Sequence, residues 1–238
     1  MKFIGIDGCR LGWFYVGLDE DGNFSVGVIR SIHEITAWLD AATLILIDIP
    51  IGLLAGGSEE RLCDLSARQM IRPRGSTVFP APARSAISKD TYEEGSEENY
   101  RRLGRKLSKQ SWAITGKIKE VDDFMRAAKL RSRVREFHPE VAFCGMNRGR
   151  PILTSKKKSD GFNERFDLLK RFFPNARAVL QAARVNTPLK KDLQDDDILD
   201  ALVGAVTASY YPVLSTIPTR PVLDDEGLPM EMLFALKD

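Results

Sequence analysis

Three observations predict an α/β protein built on a β-β-β-α-β core. The chain opens with a short apolar segment stopped at Asp7, an Asp-Gly pair follows a second apolar segment at Asp21-Gly22, and residues 44–49 (LILIDI) are almost continuously apolar. Residues 2–7 (KFIGID) read as a buried strand because β-branched and apolar residues run up to a polar stop. Gly8 and Gly12 punctuate a turn, and residues 13–18 (WFYVGL) form a second strand. The DEDGN stretch is a hairpin signal, because Asp-Gly readily supplies the positive φ of a tight turn. Phe24–Ile29 is then the third strand of an antiparallel meander. Ser31, with Glu34 three residues on, has the spacing of a capping box and predicts a short helix over 32–41. The apolar run at 44–49 suits a strand buried on both faces, ended by Pro50 and Gly52.

The bulk properties fit one large domain. With 238 residues and 43% hydrophobic content, the chain can bury a core without disulfides or a structural metal. Charged residues make up 29%, yet the formal net charge is only +2. That is less than expected of a protein that coats nucleic acid nonspecifically. A membrane span needs roughly 18 consecutive apolar residues. No apolar run in the chain approaches that length. The opening MKFIGIDGCRLGW meets a carboxylate too early for a signal peptide's apolar region. Three cysteines, Cys9, Cys63 and Cys144, lack both CxxC spacing and a secreted-scaffold pattern, so reduced thiols and a cytoplasmic location are expected.

Between about 57 and 131 the texture becomes charged and mostly helical, broken by the Pro-rich loop RPRGSTVFPAPARS at 72–85. Residues 134–143 (VREFHPEVAF) read as a strand interrupted at His138-Pro139. Residues 162–173 read as an amphipathic helix, with Phe166, Leu168 and Leu169 in its stripe. Residues 195–211 form the last strong helix, its first turn acidic as the helix dipole favours. After Tyr211 the Pro-rich tail is expected to be a surface strand or coil.

Asp7, Asp48 and Glu140 each fall at or near the end of an expected buried strand. Buried carboxylates need a partner or a metal. Asp197 and Asp200 are spaced i, i+3 and share a helix face, while Leu199, Leu202, Val203 and Val206 pack that helix. Carboxylates gathered at one sheet edge would repel one another, and an oxygen-liganded Mg²⁺ or Mn²⁺ relieves that repulsion. Two such ions about 3.5–4 Å apart can stabilise both oxygens of a phosphodiester displacement. With only His33 and His138 in the chain, a zinc site with several His ligands is excluded.

The segments GIDGCRLGW, IDIPIGL, GSTVFPAP, REFHPEVAF, SKK and DDDILDALVGAVTA occur in that order. Together they resemble the family known as domain of unknown function 429, described as predicted ribonuclease H-like nucleases. The resemblance spans roughly residues 3 to 210. It implies a ribonuclease H-like mixed five-stranded sheet flanked by helices, with a helical insertion between strands four and five. Within the wider superfamily the pattern looks closest to Holliday-junction resolvases, in which strand one supplies an Asp, here Asp7, and strand four an acid, here Asp48. The D-x-x-D-A-L motif of the final helix is matched by Asp197 and Asp200. Glu140 on the fifth strand rests on the HPE segment of this family alone.

The implied activity is metal-dependent hydrolysis of a phosphodiester in DNA or RNA. Asp7, Asp48, Glu140 and Asp200 would form the centre, and Asp197 an outer ligand. Substrate contacts are expected from Arg10, Arg68, Ser76, Thr77, Lys156 and Lys157, although the lysines also suit a solvated basic loop. Asp122 is a further candidate acid near the cleft. His138 is read either as orienting Glu140 or as structural, and Trp13 as core. The alternatives are a hydrolase of a small phosphorylated metabolite and a noncatalytic binding or regulatory protein. An actin-like ATPase also begins with a Gly-Ile-Asp-Gly hairpin, but it needs a duplicated fold that this chain is too short to hold. The sequence leaves monomer and homodimer equally open.

Overall fold

The computed structural model describes residues 1–128, 131–187 and 190–236. Strands β1 (Phe3–Cys9), β2 (Gly12–Leu18) and β3 (Phe24–Ile29) form the expected meander. A 3-10 helix at Ile32–Trp38 follows, with the capping box formed by Ser31 and Glu34. Strand β4 (Leu44–Ile47) then lies parallel to β1, and β5 (Val134–Glu136) parallel to β4. The result is a mixed five-stranded sheet in the order β3-β2-β1-β4-β5.

The alternation of side chains along β1 and β4 sorts the core into two layers. Ile4, Ile6, Ile45 and Ile47 face one side and pack with Ile32, Ile35, Ile118, Val121 and Phe124. Leu44 and Leu46 face the other side, with Phe14, Phe137 and the apolar face of helix α8 (Asp195–Ala208). Between β4 and β5 the chain forms α1 (Leu62–Met70), a 3-10 turn at Arg74–Thr77, α2 (Tyr92–Leu103), α3 (Lys109–Ala113) and α4 (Thr115–Ala127). After β5 come α5 (Pro139–Met146), α6 (Ser159–Phe172), α7 (Ala176–Asn186) and then α8.

Helix α8 lies on the backbone of β1 itself. A Cβ added at Gly5 would stand 2.0 Å from the Ala201 carbonyl oxygen and 2.2 Å from the Ala205 nitrogen. One added at Gly204 would meet the Phe137 ring at 2.6 Å. Absent side chains at these positions allow the close approach.

The structure corrects the sequence reading in three places. The expected strand at 134–143 ends at Glu136, and the HPE segment opens α5 instead. His138 is its N-cap, accepting from the Glu140 amide at 3.2 Å, and Pro139 sits in the first turn, where its missing N–H costs nothing. Glu140 therefore sits on a helix, and the acid on the fifth strand is Glu136. The tail forms an antiparallel hairpin, β6 (Ser215–Leu223) with β7 (Pro229–Phe234), whose second strand is buried against Cys63, Ala67, Val141 and Cys144. The three cysteines are buried and free.

Candidate functional site

Register places the first two acids side by side. The parallel pairing of β1 with β4 ends at Ile6 and Ile47, and the Asp48 amide donates to the Ile6 carbonyl at 3.0 Å. Asp7 and Asp48 are the next residue on each strand, so their backbones stand about one strand spacing apart, roughly 4.8 Å. Asp7 shares the parity of Gly5, and Asp48 that of Leu44 and Leu46, so both carboxylates face the α8 layer. The close contact of α8 at Gly5 sets Asp200 beside them, since it directly precedes Ala201. Open α/β sheets commonly offer a crevice at this kind of place, outside the carboxyl ends of parallel strands.

The cluster is electrostatically tense. Burial pushes the Asp7 carboxyl well above the usual carboxylate range, and Asp200 and Asp48 push it further. Burial raises Asp48 likewise, with Asp200 adding to it and Lys156 opposing. Asp200 rises to about 6 through burial, although Lys156 pulls it down. The Lys156 ammonium donates to Asp200 Oδ2. The second oxygen, Oδ1, is buried without a hydrogen-bond partner. Burial works against the charge on Lys156, but Asp200 and Asp7 outweigh it and raise the group above its ordinary value.

A cavity of about 420 Å³ opens over Asp7 and Asp48. The 3-10 turn contributes Arg74, Ser76 and Thr77, helix α4 contributes Lys117, and the loop before α6 contributes Lys156 and Lys157. Within this wall the Arg74 Nε is buried and lacks a partner. Lys117 donates to the Gly12 carbonyl, stacks 4.2 Å from the Trp13 ring centroid, and lies across Gly8. Trp13 itself is core, its indole N–H donating to Glu120 at 3.0 Å.

Other expected site residues are placed less centrally. Glu140 lines the cavity, but both its oxygens accept from Arg165, a fully buried guanidinium, at 2.7–3.2 Å. Asp197 accepts from the Gln194 amide at 2.8 Å as part of a capping box and faces an adjoining depression with Lys157 and Lys190. Burial lifts it to about 6. Arg10 is exposed on the β1–β2 turn, and Arg68 is engaged with the Val78 carbonyl and Glu60. Neither lines the cavity. Asp122 is held by Arg84 and Arg126, away from the cavity lining. Arg101 and Arg102 pair with Glu98, and Arg126 with Asp122 and Asp123.

Nothing in the local sequence pattern signals the ion cluster that shapes the cleft wall. Buried Arg61 reaches Glu136 through both terminal nitrogens at 2.9 Å, Asp64 at 2.5 Å, and the Ile51 and Gly52 carbonyls. Glu136 also accepts from the Ile51 amide at 2.7 Å, and Asp64 from the Ala81 amide at 3.0 Å. One guanidinium thus ties the loop after β4, helix α1 and strand β5 together. His138 lines the same wall, its Nδ1 serving the cap and its Nε2 3.4 Å from the Thr77 carbonyl oxygen. Burial lowers it to about 4, so it is neutral at physiological pH.

Among the described residues no group of three or more His, Cys, Asp and Glu side chains is arranged so that it could hold a metal ion. Asp7, Asp48 and Asp200 offer hard oxygen donors of the kind divalent cations take, and Asp200 carries an orphaned buried oxygen. No helix among the described residues is long and apolar enough to cross a membrane.

These features define a mixed α/β protein with an acid-floored, cation-walled cleft at the ends of two parallel strands. The chain belongs to the family described as Protein of unknown function (DUF429), whose model matches residues 5–218. Comparison with curated proteins and with solved structures found no match.

Proposed function

We propose that this protein is a divalent-metal-dependent phosphodiester hydrolase of ribonuclease H type, acting on DNA or RNA in the cytoplasm, with α1–α4 as the family's insertion. The observation that carries the reading is the convergence of Asp7, Asp48 and Asp200 beneath a cleft that also holds Arg74, Lys117, Lys156 and Lys157. Asp7 and Asp48 would hold Mg²⁺ or Mn²⁺, with Asp200 completing the centre. Glu140 and Asp197 would act from outside it, since Arg165 and the helix cap already occupy them. The metal supplies Lewis-acid activation of a phosphoryl group. The protein's part is to position and to balance charge. Arg74, with a free buried donor, and Thr77 face the space where a phosphate would lie, and Lys157 extends that surface outward. The raised carboxyls favour uptake of a cation that allows them to ionise together.

A second reading follows from cavity size. The cavity of about 420 Å³ matches ordinary small-ligand pockets, so a small phosphorylated metabolite also fits. The test is a Mn²⁺-supplemented assay of junction, duplex, single-stranded and RNA substrates beside a panel of phosphorylated metabolites. It should run in parallel with Asp7→Asn. Asp7-dependent cleavage of a nucleic acid supports the nuclease, and turnover of a metabolite alone replaces it with the second reading. Equal activity in both proteins, or none on any substrate, sinks both.

A further inference from the structure

Several polar groups in the cleft wall are already taken. The Thr77 hydroxyl donates to the Arg74 carbonyl at 3.0 Å, Lys117 to the Gly12 carbonyl, and Lys156 to Asp200. What the cavity keeps free is chemically mixed. Among the described residues the Arg74 guanidinium has no protein partner, and its Nε is buried. Ser76, Gln110 and Lys157 line the same cavity with exposed side chains that make no hydrogen bond or ion pair within the described protein. Phe79 is half-buried in the lining, yet it joins none of the four apolar clusters and stacks on no other described ring. An aromatic face inside a cavity and outside the core is a contact surface for a ligand.

Most of these free groups come from the chain between β4 and β5, whereas the acidic floor comes from the sheet and α8. Arg74 and Ser76 lie on the 3-10 turn, Phe79 two residues beyond it, and Gln110 on α3. Beneath them Asp7 is only 9% exposed and Asp200 2%.

We propose that the cavity takes one unpaired nucleotide unit, its base on Phe79 with an edge read by Gln110 and its phosphate on Arg74 and Lys157. The proposal rests on the reading of the cleft as a phosphoryl site. At about 420 Å³ the cavity has the size of a pocket for one small ligand. A base in a duplex is stacked on both faces and paired along its edge, so it meets Phe79 and Gln110 only when flipped out. Aromatic stacking accepts any unpaired base, and a side-chain amide can tell one base edge from another. The substrate is therefore a free mononucleotide or an unpaired nucleotide of a strand, and a continuous duplex is excluded.

The test is isothermal titration calorimetry of the full-length protein, with Mn²⁺ and again with a chelator. The ligands are the four ribonucleoside monophosphates, ribose phosphate, a mixed-sequence single strand and the duplex made from it. A nucleotide or the single strand should bind at least tenfold more tightly than ribose phosphate or the duplex. Phe79→Ala should weaken that binding about tenfold and leave ribose phosphate unchanged, while Phe79→Tyr keeps it. Phe79→Leu, which retains apolar bulk without a ring, covers the case in which alanine does not fold. Gln110→Ala should change the ranking of the four bases. Binding of the mononucleotides identifies the free ligand, and binding of the strand alone identifies a nucleotide within a chain. Ribose phosphate or duplex bound as tightly as any nucleotide, or full affinity in folded Phe79→Ala and Phe79→Leu, would overturn the proposal. Phe79-dependent binding that is equal with Mn²⁺ and with chelator sustains it and counts against the metal reading. No binding of any phosphorylated ligand overturns the phosphoryl site together with it.

Discussion

Gly5→Ala is the sharpest test of how the site is assembled. The glycine lies in β1, where an alanine has no backbone objection, so any cost is steric. The new Cβ would meet the Ala201 carbonyl oxygen at 2.0 Å and the Ala205 nitrogen at 2.2 Å, both backbone atoms of α8 that cannot rotate away. To restore an ordinary contact of about 3.4 Å, the helix must retreat by about 1.4 Å. Overpacking of this kind typically costs about 1–3 kcal/mol, and the severity of the overlap places this case at the upper end. For a chain of this size that lowers Tm by roughly 4–12 °C. The same retreat withdraws Asp200 from Asp7 and Asp48, and a misplacement of about 1 Å at a reacting centre can cost on the order of 100-fold in rate. The assays are thermal unfolding by circular dichroism and Mn²⁺ uptake at a temperature where the variant is folded. Gly17→Ala is the control, because its Cβ meets only the flexible Met1 side chain. A Gly5→Ala protein that melts within about 2 °C of the parent and binds Mn²⁺ equally well would refute the close-approach argument.

Other outcomes follow from the same geometry. Asp197 has a folded pKa raised to about 6 from 3.8, so the folded state binds its proton more tightly than the unfolded state does. Its contribution to stability is then present below about pH 4 and is lost as pH rises through about 6. Asp197→Asn, which keeps a cap acceptor, should recover up to about 3 kcal/mol at pH 7, or about 1–2 kcal/mol after solvent screening, as read by urea denaturation at pH 5 and pH 7. An unchanged pH 7 to pH 5 difference would contradict that. Arg165→Met leaves Glu140 buried and unpaired and should cost about 3–5 kcal/mol, most of it regained by adding Glu140→Gln in a double-mutant cycle. Simple additivity of the two would show that the pair is not coupled. His138→Asn preserves a cap acceptor and should keep Mn²⁺-dependent activity within about threefold, because a neutral imidazole titrating near 4 supplies no proton at pH 7. A drop beyond tenfold in a folded variant would make His138 part of the chemistry. Mg²⁺ should raise Tm more at pH 7.5 than at pH 5, since protons compete for the raised carboxyls of Asp7, Asp48 and Asp200. Equal shifts at both pH values would argue against these ligands.

What can be read from the sequence is what local patterning encodes. The four strands of the opening motif announce themselves by alternation, by an unbroken apolar run and by Asp-Gly, and the Ser31–Glu34 box marks its helix. Asp7, Asp48 and Asp200 are legible because a charge in an apolar run is conspicuous. The misreading of HPE comes from a short apolar stretch, EVAF, whose period does not separate strand from helix, and the cue that decides it is Pro139 after a capping residue. Helix α7 (ARAVLQAARVN) carries no capping side-chain bond to announce it, and β6 is obscured by its two prolines. The charge partners are hidden for a different reason. Arg61 and Glu136 are 75 positions apart, and Arg165 and Glu140 are 25 apart, so nothing local announces that either acid is already neutralised. Glu140 thus looks equal to Asp200 in sequence and differs from it in the fold because Arg165 takes both its oxygens, whereas Lys156 takes one of Asp200's and leaves the other without a partner.

The seating of α8 on the β1 backbone also has a consequence for biosynthesis. The floor of the cleft draws Asp7 and Asp48 from roughly the first fifth of the chain and Asp200 from its last fifth. A nascent chain emerging from the ribosome therefore presents the Phe14, Leu44 and Leu46 face of its sheet with nothing yet made to cover it. That face is completed only when α8 has left the exit tunnel, a window in which a chaperone or premature aggregation competes for it. The same delay keeps Asp200 away from Asp7 and Asp48 until α8 has been made.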